Sequence, residues 1–107
     1  MVRRRDVILA KVYFSDSPES KVRPAIVLSN DNYHQDDFLL VASITTAIDN
    51  YCIPLSEKDI TCVLDKNSSV RFDGTIKIRM EQVKTIIGKT NAEFHLKLIE
   101  KIVSMVQ

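Results

Sequence analysis

The sequence predicts a mainly β domain: a small β-barrel or half-open curved antiparallel sheet with a C-terminal helix packed against it. Three observations carry this expectation. Short runs of β-branched and aromatic residues recur between turn-forming clusters, the last segment alone has helical periodicity, and no repeat or Gly/Pro/Ser-rich linker divides the 107 residues. Residues 1–107 therefore read as one domain. With 45% hydrophobic and 27% charged residues, 2 Gly and 3 Pro, the chain can build a core and is not disordered by composition.

Asp6 to Phe14 is the first strand, ended by the polar loop Ser15-Asp16-Ser17-Pro18-Glu19-Ser20. Arg23 to Ser29 holds the near-continuous run Ala25-Ile26-Val27-Leu28, which fits a central strand covered on both faces and stopped by Asn30-Asp31-Asn32. Phe38 to Thr45 repeats that pattern. Cys52-Ile53-Pro54-Leu55 is a shorter extended piece, placed at a sheet edge by Pro54, which has no N–H for a ladder; the turn Ser56-Glu57-Lys58-Asp59 follows. Thr61 to Leu64 and Ser69 to Phe72 read as further short strands, and Asp73-Gly74 as a tight turn into Thr75 to Ile86. Then the period changes. Phe94, Leu98, Ile99, Ile102, Val103 and Val106 fall on one stripe of an amphipathic helix, with Gly88 supplying the break before it and Thr90 and Glu93 spaced as a capping box.

Several function classes are excluded. The longest apolar runs, Val7 to Ala10 and Phe38 to Ala42, are far short of a membrane-spanning helix, and Arg3-Arg4-Arg5 precedes no cleavable apolar segment, so a cytoplasmic protein is expected. Fifteen Lys and Arg against 14 Asp and Glu do not coat nucleic acid wholesale, although a local basic groove is compatible with a net charge of +1. Cys52 and Cys62 lack ligand spacing, and a zinc site would have to recruit His34 and His95 from distant segments; no metal or cofactor is expected. No GxGxxG, GxxxxGK[ST], HExxH or GxSxG motif occurs, so an enzyme on this chain must work with Arg, Glu and hydroxyls.

Ile76-Lys77-Ile78-Arg79-Met80-Glu81 alternates, so on a strand Lys77, Arg79 and Glu81 share a face, about 6.5 to 7 Å apart at Cα for neighbours on that face. Such a row serves either as an acid and base pair or simply as a solvated mixed-charge surface. Arg23-Pro24 stands at the mouth of an apolar strand, where a charge needs an anion: a phosphate, or a carboxylate such as Asp6. Ser43, Thr45 and Thr46, at the end of a buried run, offer hydroxyls to the same place. His34, in a polar turn, and His95, expected exposed or at an interface beside the apolar stripe, receive no role.

Four segments together resemble the MazF/PemK family of toxins: Arg4-Arg5-Asp6-Val7-Ile8-Leu9-Ala10, Lys21 to Asn30 with its run Val-Arg-Pro-Ala-Ile-Val-Leu-Ser, Val41 to Thr45, and Arg79-Met80-Glu81-Gln82-Val83-Lys84-Thr85-Ile86. The resemblance covers almost the whole chain. It implies an SH3-like small β-barrel with a terminal helix, a homodimer, and a metal-independent, sequence-specific endoribonuclease of a type II toxin-antitoxin system, neutralised by an acidic antitoxin. The expected chemistry on single-stranded RNA is attack of a 2'-hydroxyl on the adjacent phosphate, giving 2',3'-cyclic phosphate and 5'-hydroxyl ends. Arg23 and Thr45 match residues that contact the scissile phosphate. Arg79 and Glu81 match the Arg-x-Asp pair of the Kid/PemK branch, with Glu in place of Asp. Lys21, Ser43, Thr46 and Lys77 are the expected RNA contacts. Arg5 stands where the family usually has Gly, and Ser15 to Lys21 lacks the histidine of the Kid/PemK branch. The alternative is a non-catalytic toxin on the same fold, a CcdB-like topoisomerase inhibitor or an inactive relative that binds RNA or antitoxin.

Overall fold

A computed structural model of the chain describes residues 1–13, 20–34, 36–64 and 67–107. The loop expected at Ser15 to Ser20 lies largely outside the described residues. Six strands form one antiparallel sheet: β1 (Asp6–Tyr13), β2 (Ser20–Val27), β3 (Phe38–Thr45), β4 (Cys52–Pro54), β5 (Ser69–Arg79) and β6 (Val83–Lys89), in the spatial order β4-β5-β3-β2-β1-β6. A short helix α1 (Asp31–His34) joins β2 to β3, a 3-10 turn (Met80–Gln82) joins β5 to β6, and α2 (Ala92–Ser104) ends the chain. The sheet is curved but not closed. β4 takes the edge position that Pro54 requires, and β2 and β3 take the centre.

The apolar runs are buried on both faces because the curved sheet has a core on each side. Ile8, Ala10, Ala25, Val27, Leu39, Val41 and Ile78 pack in one cluster, which Met80 and Val83 join where the 3-10 turn leads from β5 into β6. Val7, Ile26, Ala42, Ile44, Val70 and Phe72 face the other way, under Phe94 and Leu98 of α2. Burying a side chain such as Leu98 contributes about 1.5–3 kcal/mol, so two such anchors hold the helix down. Farther along the stripe burial fades: Ile102 still packs on this cluster, whereas Val106 is exposed.

Several local expectations are corrected by long-range contacts. β5 runs straight through Asp73-Gly74: the register jumps from Ala42↔Thr75 to Ile44↔Val70, so the extra residues form a bulge and no hairpin turn. Thr61 to Leu64 is not a strand; beside the isolated Ile60↔Thr90 bridge, Thr61 ties it to β6, its N–H donating to the Lys89 carbonyl at 3.0 Å and its hydroxyl accepting from the Lys89 N–H at 2.9 Å. The cap of α2 is Asn91, whose side chain accepts from the Phe94 N–H at 2.7 Å, because Thr90 is committed elsewhere, donating its N–H to the Arg5 carbonyl at 2.9 Å. Gly88 lies within β6 rather than breaking the chain, and a Cβ there would stand 2.7 Å from Cys62 Cβ. It permits close approach of the 61–64 segment. His95 is buried, not exposed.

Candidate functional site

Toward the start of β2, its pairing with β3 ends among the described residues at Ala25↔Ser43, while its pairing with β1 continues to Tyr13↔Ser20. The β1–β2 ribbon therefore projects past the end of β3. Arg23 stands where the ribbon leaves the sheet, which explains how an exposed guanidinium belongs to a strand that is otherwise apolar. Beside it opens a cleft of about 1060 Å³ whose walls include Arg23, Ser43, Thr45 and Thr46. The Thr45 hydroxyl accepts from the Ala47 N–H at 3.1 Å, which fixes its oxygen and leaves its proton to donate.

The second group lies elsewhere on the sheet. Arg79 pairs with Phe38, at the opposite end of β3 from Thr45, and Lys77 and Arg79 both stand over the Phe38 ring, Nζ at 4.0 Å and Cζ at 5.3 Å from its centroid. Strand β5 ends at Arg79, so Glu81 belongs to the 3-10 turn and does not continue the Lys77–Arg79 face as alternation alone predicts. That turn is anchored by Gln82, whose carbonyl accepts from the Arg79 N–H and whose amide donates to the Lys11 carbonyl, both at 2.7 Å. The anchoring brings Glu81 beside β1. Ala10 pairs with Arg23 on one side and Val83 on the other, so the turn and Arg23 flank a single strand, about 10 Å apart at the backbone. Lys21, facing Val12 on the ribbon, is exposed, and neither it nor Lys77, Arg79 or Glu81 lines the cleft.

Arg71 is a cleft residue that the sequence reading missed. Its guanidinium donates to Asp73 Oδ1 at 2.9 Å and to Asp49 Oδ2, so two carboxylates neutralise this wall. The Tyr51 N–H, and then Arg71, hold the Asp49 carboxyl below the usual carboxylate range, while Asp49 and Asp73 raise Arg71 further above its own. The Arg71–Asp73 spacing was legible on a strand; Asp49, 22 residues away, carried no signal. Asp6, weighed as an anion for Arg23, instead meets Lys89 Nζ at 3.6 Å and accepts from the Arg3 N–H at 2.7 Å.

Neither histidine lines the Arg23 cleft. His34 Nε2 is 2.8 Å from the Ser29 hydroxyl, which also accepts from the Leu40 N–H at 3.0 Å, while His34 Nδ1 is 3.9 Å from Asp31, beyond hydrogen-bond range. The buried, occupied Ser29 hydroxyl ties α1 to β3 and is no nucleophile. Burial, reinforced by the charges of Arg4 and Arg5, pushes the His95 pKa down to about 4 and keeps it neutral. Among the described residues, no group of three or more His, Cys, Asp or Glu is arranged to hold a metal ion.

A curved, open six-stranded antiparallel sheet with a C-terminal helix, and a cleft lined in part by Arg23, Arg71, Ser43, Thr45 and Thr46, defines the class of small barrel-like β proteins to which this chain belongs. The chain belongs to the PemK-like, MazF-like toxins of type II toxin-antitoxin systems, whose family profile matches residues 3–106. Its fold is similar to that of the Mycobacterium tuberculosis toxin MazF-mt6, at 24% identity and a TM-score of 0.74 over 94% of each chain. It is also similar to a MazE-MazF structure from Deinococcus radiodurans, with 14% identity and a TM-score of 0.78 over 98% of this chain and 95% of that one. An endoribonuclease in complex with its cognate antitoxin from a Mycobacterial species has 11% identity and a TM-score of 0.71, covering 97% and 90%. No curated protein sequence matches significantly. No helix among the described residues is long and apolar enough to cross a membrane.

Proposed function

We propose that this toxin is a metal-independent, sequence-specific endoribonuclease that cleaves single-stranded RNA. The observation that carries the reading is the meeting of Arg23, Ser43, Thr45 and Thr46 at one cleft, with the Glu81 turn one strand away, in a member of the MazF-like family. Arg23 offers a permanently charged planar fork to the scissile phosphate, and the Thr45 hydroxyl donates to one of its oxygens. Glu81 accepts the 2'-hydroxyl proton as the 2'-oxygen bonds to phosphorus; the bond to the 5'-oxygen breaks, and that oxygen takes a proton from Arg23 or Arg79. An arginine is a weak acid, so the larger part of its contribution is stabilisation of charge on the five-coordinate phosphorus. Lys21, Ser43, Thr46 and Lys77 hold the flanking strand.

The toxin acts as a cytoplasmic homodimer and is neutralised by an acidic antitoxin that satisfies the same arginines and so competes with RNA. The antitoxin complexes among its structural relatives support that partner. Incubation with a long single-stranded RNA and with an all-DNA strand of the same sequence, EDTA present throughout, tests the reading. RNA cut at a short motif beside intact DNA is the expected result, since DNA lacks the attacking hydroxyl. Intact RNA at high protein concentration, or cleaved DNA, overturns it.

A further inference from the structure

A second cleft, of about 470 Å³, opens between the N-terminal arginines, the end of β6 and the β2–α1 connection. Arg3, Arg4, Arg5 and Lys89 line it, together with Asn30, Asn32 and one carboxylate, Asp31. Two of the four cations are compensated: Arg3 faces Asp31 at 3.6 Å and Lys89 faces Asp6 at 3.6 Å. Arg4 and Arg5 have no ion-pair partner among the described residues. The Asn30 carbonyl is occupied by the Tyr33 N–H, which leaves its NH₂ as the donor. The lining is thus a donor-rich, net cationic concavity, the composition that a phosphodiester backbone meets with charge-assisted hydrogen bonds.

Two further features distinguish it from an ordinary basic surface. Arg5 holds a left-handed backbone, φ 77°, which a residue bearing a Cβ adopts only under strain and which its neighbours lock: its N–H donates to the Val27 carbonyl at 2.9 Å and its carbonyl accepts from the Thr90 N–H at 2.9 Å. A cation is therefore fixed where a glycine would be easier to place. The positive potential of Arg4 and Arg5 also extends inward, contributing to the depressed pKa of the buried His95.

The two clefts share strands. Leu9 of β1 and Ile87 of β6 line the Arg23 cleft, whereas Arg5, just before β1, and Lys89, two residues beyond Ile87, line the basic one. We propose that the Arg3–Arg4–Arg5/Lys89 cleft is an accessory phosphate-binding site that grips the backbone of the RNA strand outside the Arg23 cleft. This rests on the RNA reading above. It makes affinity depend on RNA length, because only a strand that reaches both clefts adds the second set of phosphate contacts.

Fluorescence anisotropy over a salt series tests this with Arg4→Gln and Lys89→Met, using RNA of about 4 and about 16 nucleotides, the span of single-strand site sizes on small barrels. Since Lys89 holds Asp6, a thermal melt confirms that each variant is folded, and the exposed Arg4 carries the test if Lys89→Met is not. The expected result is that wild type binds the long RNA more tightly, and that each substitution lowers the slope of log K against log salt for the long RNA by about 0.7. Wild type that binds long RNA with the same slope as the variants overturns the accessory site while leaving the ribonuclease reading intact. Wild type that binds neither RNA overturns both. Variants that lose affinity for polyglutamate but not for RNA overturn the site as proposed and assign the cleft to an acidic protein partner.

Discussion

Arg79 stands over the ring of Phe38, its Cζ 5.3 Å from the centroid, and the same ring carries Lys77 Nζ at 4.0 Å. One aromatic side chain thus orients two cations at the start of β3, next to the Asp37 carbonyl that accepts the Met80 N–H and begins the 3-10 turn. A cation over an aromatic face at an exposed position contributes about 0.5–1 kcal/mol. Phe38→Ala is expected to lower kcat/KM for RNA about two- to fivefold, Phe38→Tyr to leave it near wild type. Steady-state kinetics check the pair.

Thr45 presents a hydroxyl whose oxygen is already engaged by the Ala47 N–H. Thr45→Ser keeps both that acceptor and the outward donor; Thr45→Val removes both. A hydrogen bond to a charged group is worth about 1.5–3 kcal/mol, so Thr45→Val is expected to lose about 10- to 150-fold in RNA cleavage, with Thr45→Ser retaining most of it. Equal activity of the two variants would remove Thr45 from the site.

His95 makes stability depend on pH. Its pKa is about 4 in the fold against an ordinary value of 6.5, so between these values the unfolded chain binds a proton that the native one refuses. The contribution of neutral His95 is complete above about pH 6.5 and is lost as pH falls toward 4, by up to about 3 kcal/mol. Urea unfolding of wild type and His95→Leu at pH 7 and pH 5 is expected to show a steeper acid loss for wild type. Parallel losses would contradict the assignment.

Gly88 is required by its neighbour. A Cβ at this position would lie 2.7 Å from Cys62 Cβ and 3.1 Å from its backbone nitrogen, contacts that no rotamer change relieves. Gly88→Ala is expected to destabilise the fold by roughly 1–3 kcal/mol, measured as a lower urea midpoint at unchanged slope, and Cys62→Gly in that background to restore part of it.

These cases also mark what a single sequence discloses. The apolar runs of β2 and β3, the edge proline of β4 and the stripe of α2 are legible because each is a local pattern that the core simply uses. Asp73-Gly74 misleads because a bulge in β5 needs the same residues as a turn, and only pairing with β3 separates the two. Thr90 misleads because its amide and its hydroxyl both donate to the carbonyl of Arg5, 85 residues away, leaving Asn91 to cap the helix. In the candidate site, Arg23 and Thr45 announce themselves as polar residues ending apolar strands. The displacement of Glu81 into a 3-10 turn could not be read, because it depends on Gln82 reaching Lys11, 71 residues away.

The most direct test of the account is single-turnover cleavage of one single-stranded RNA, with EDTA present, by wild type, Arg23→Ala and Glu81→Gln, with the new ends identified chemically. The account predicts 2',3'-cyclic phosphate and 5'-hydroxyl ends from wild type and a fall of about a hundred- to a thousandfold for Arg23→Ala, the loss expected when a preorganised charge is removed. Glu81→Gln should fall by about a hundredfold or more, as expected for a general base. Cleavage by Arg23→Ala within about tenfold of wild type, or ends of any other chemistry, would contradict it.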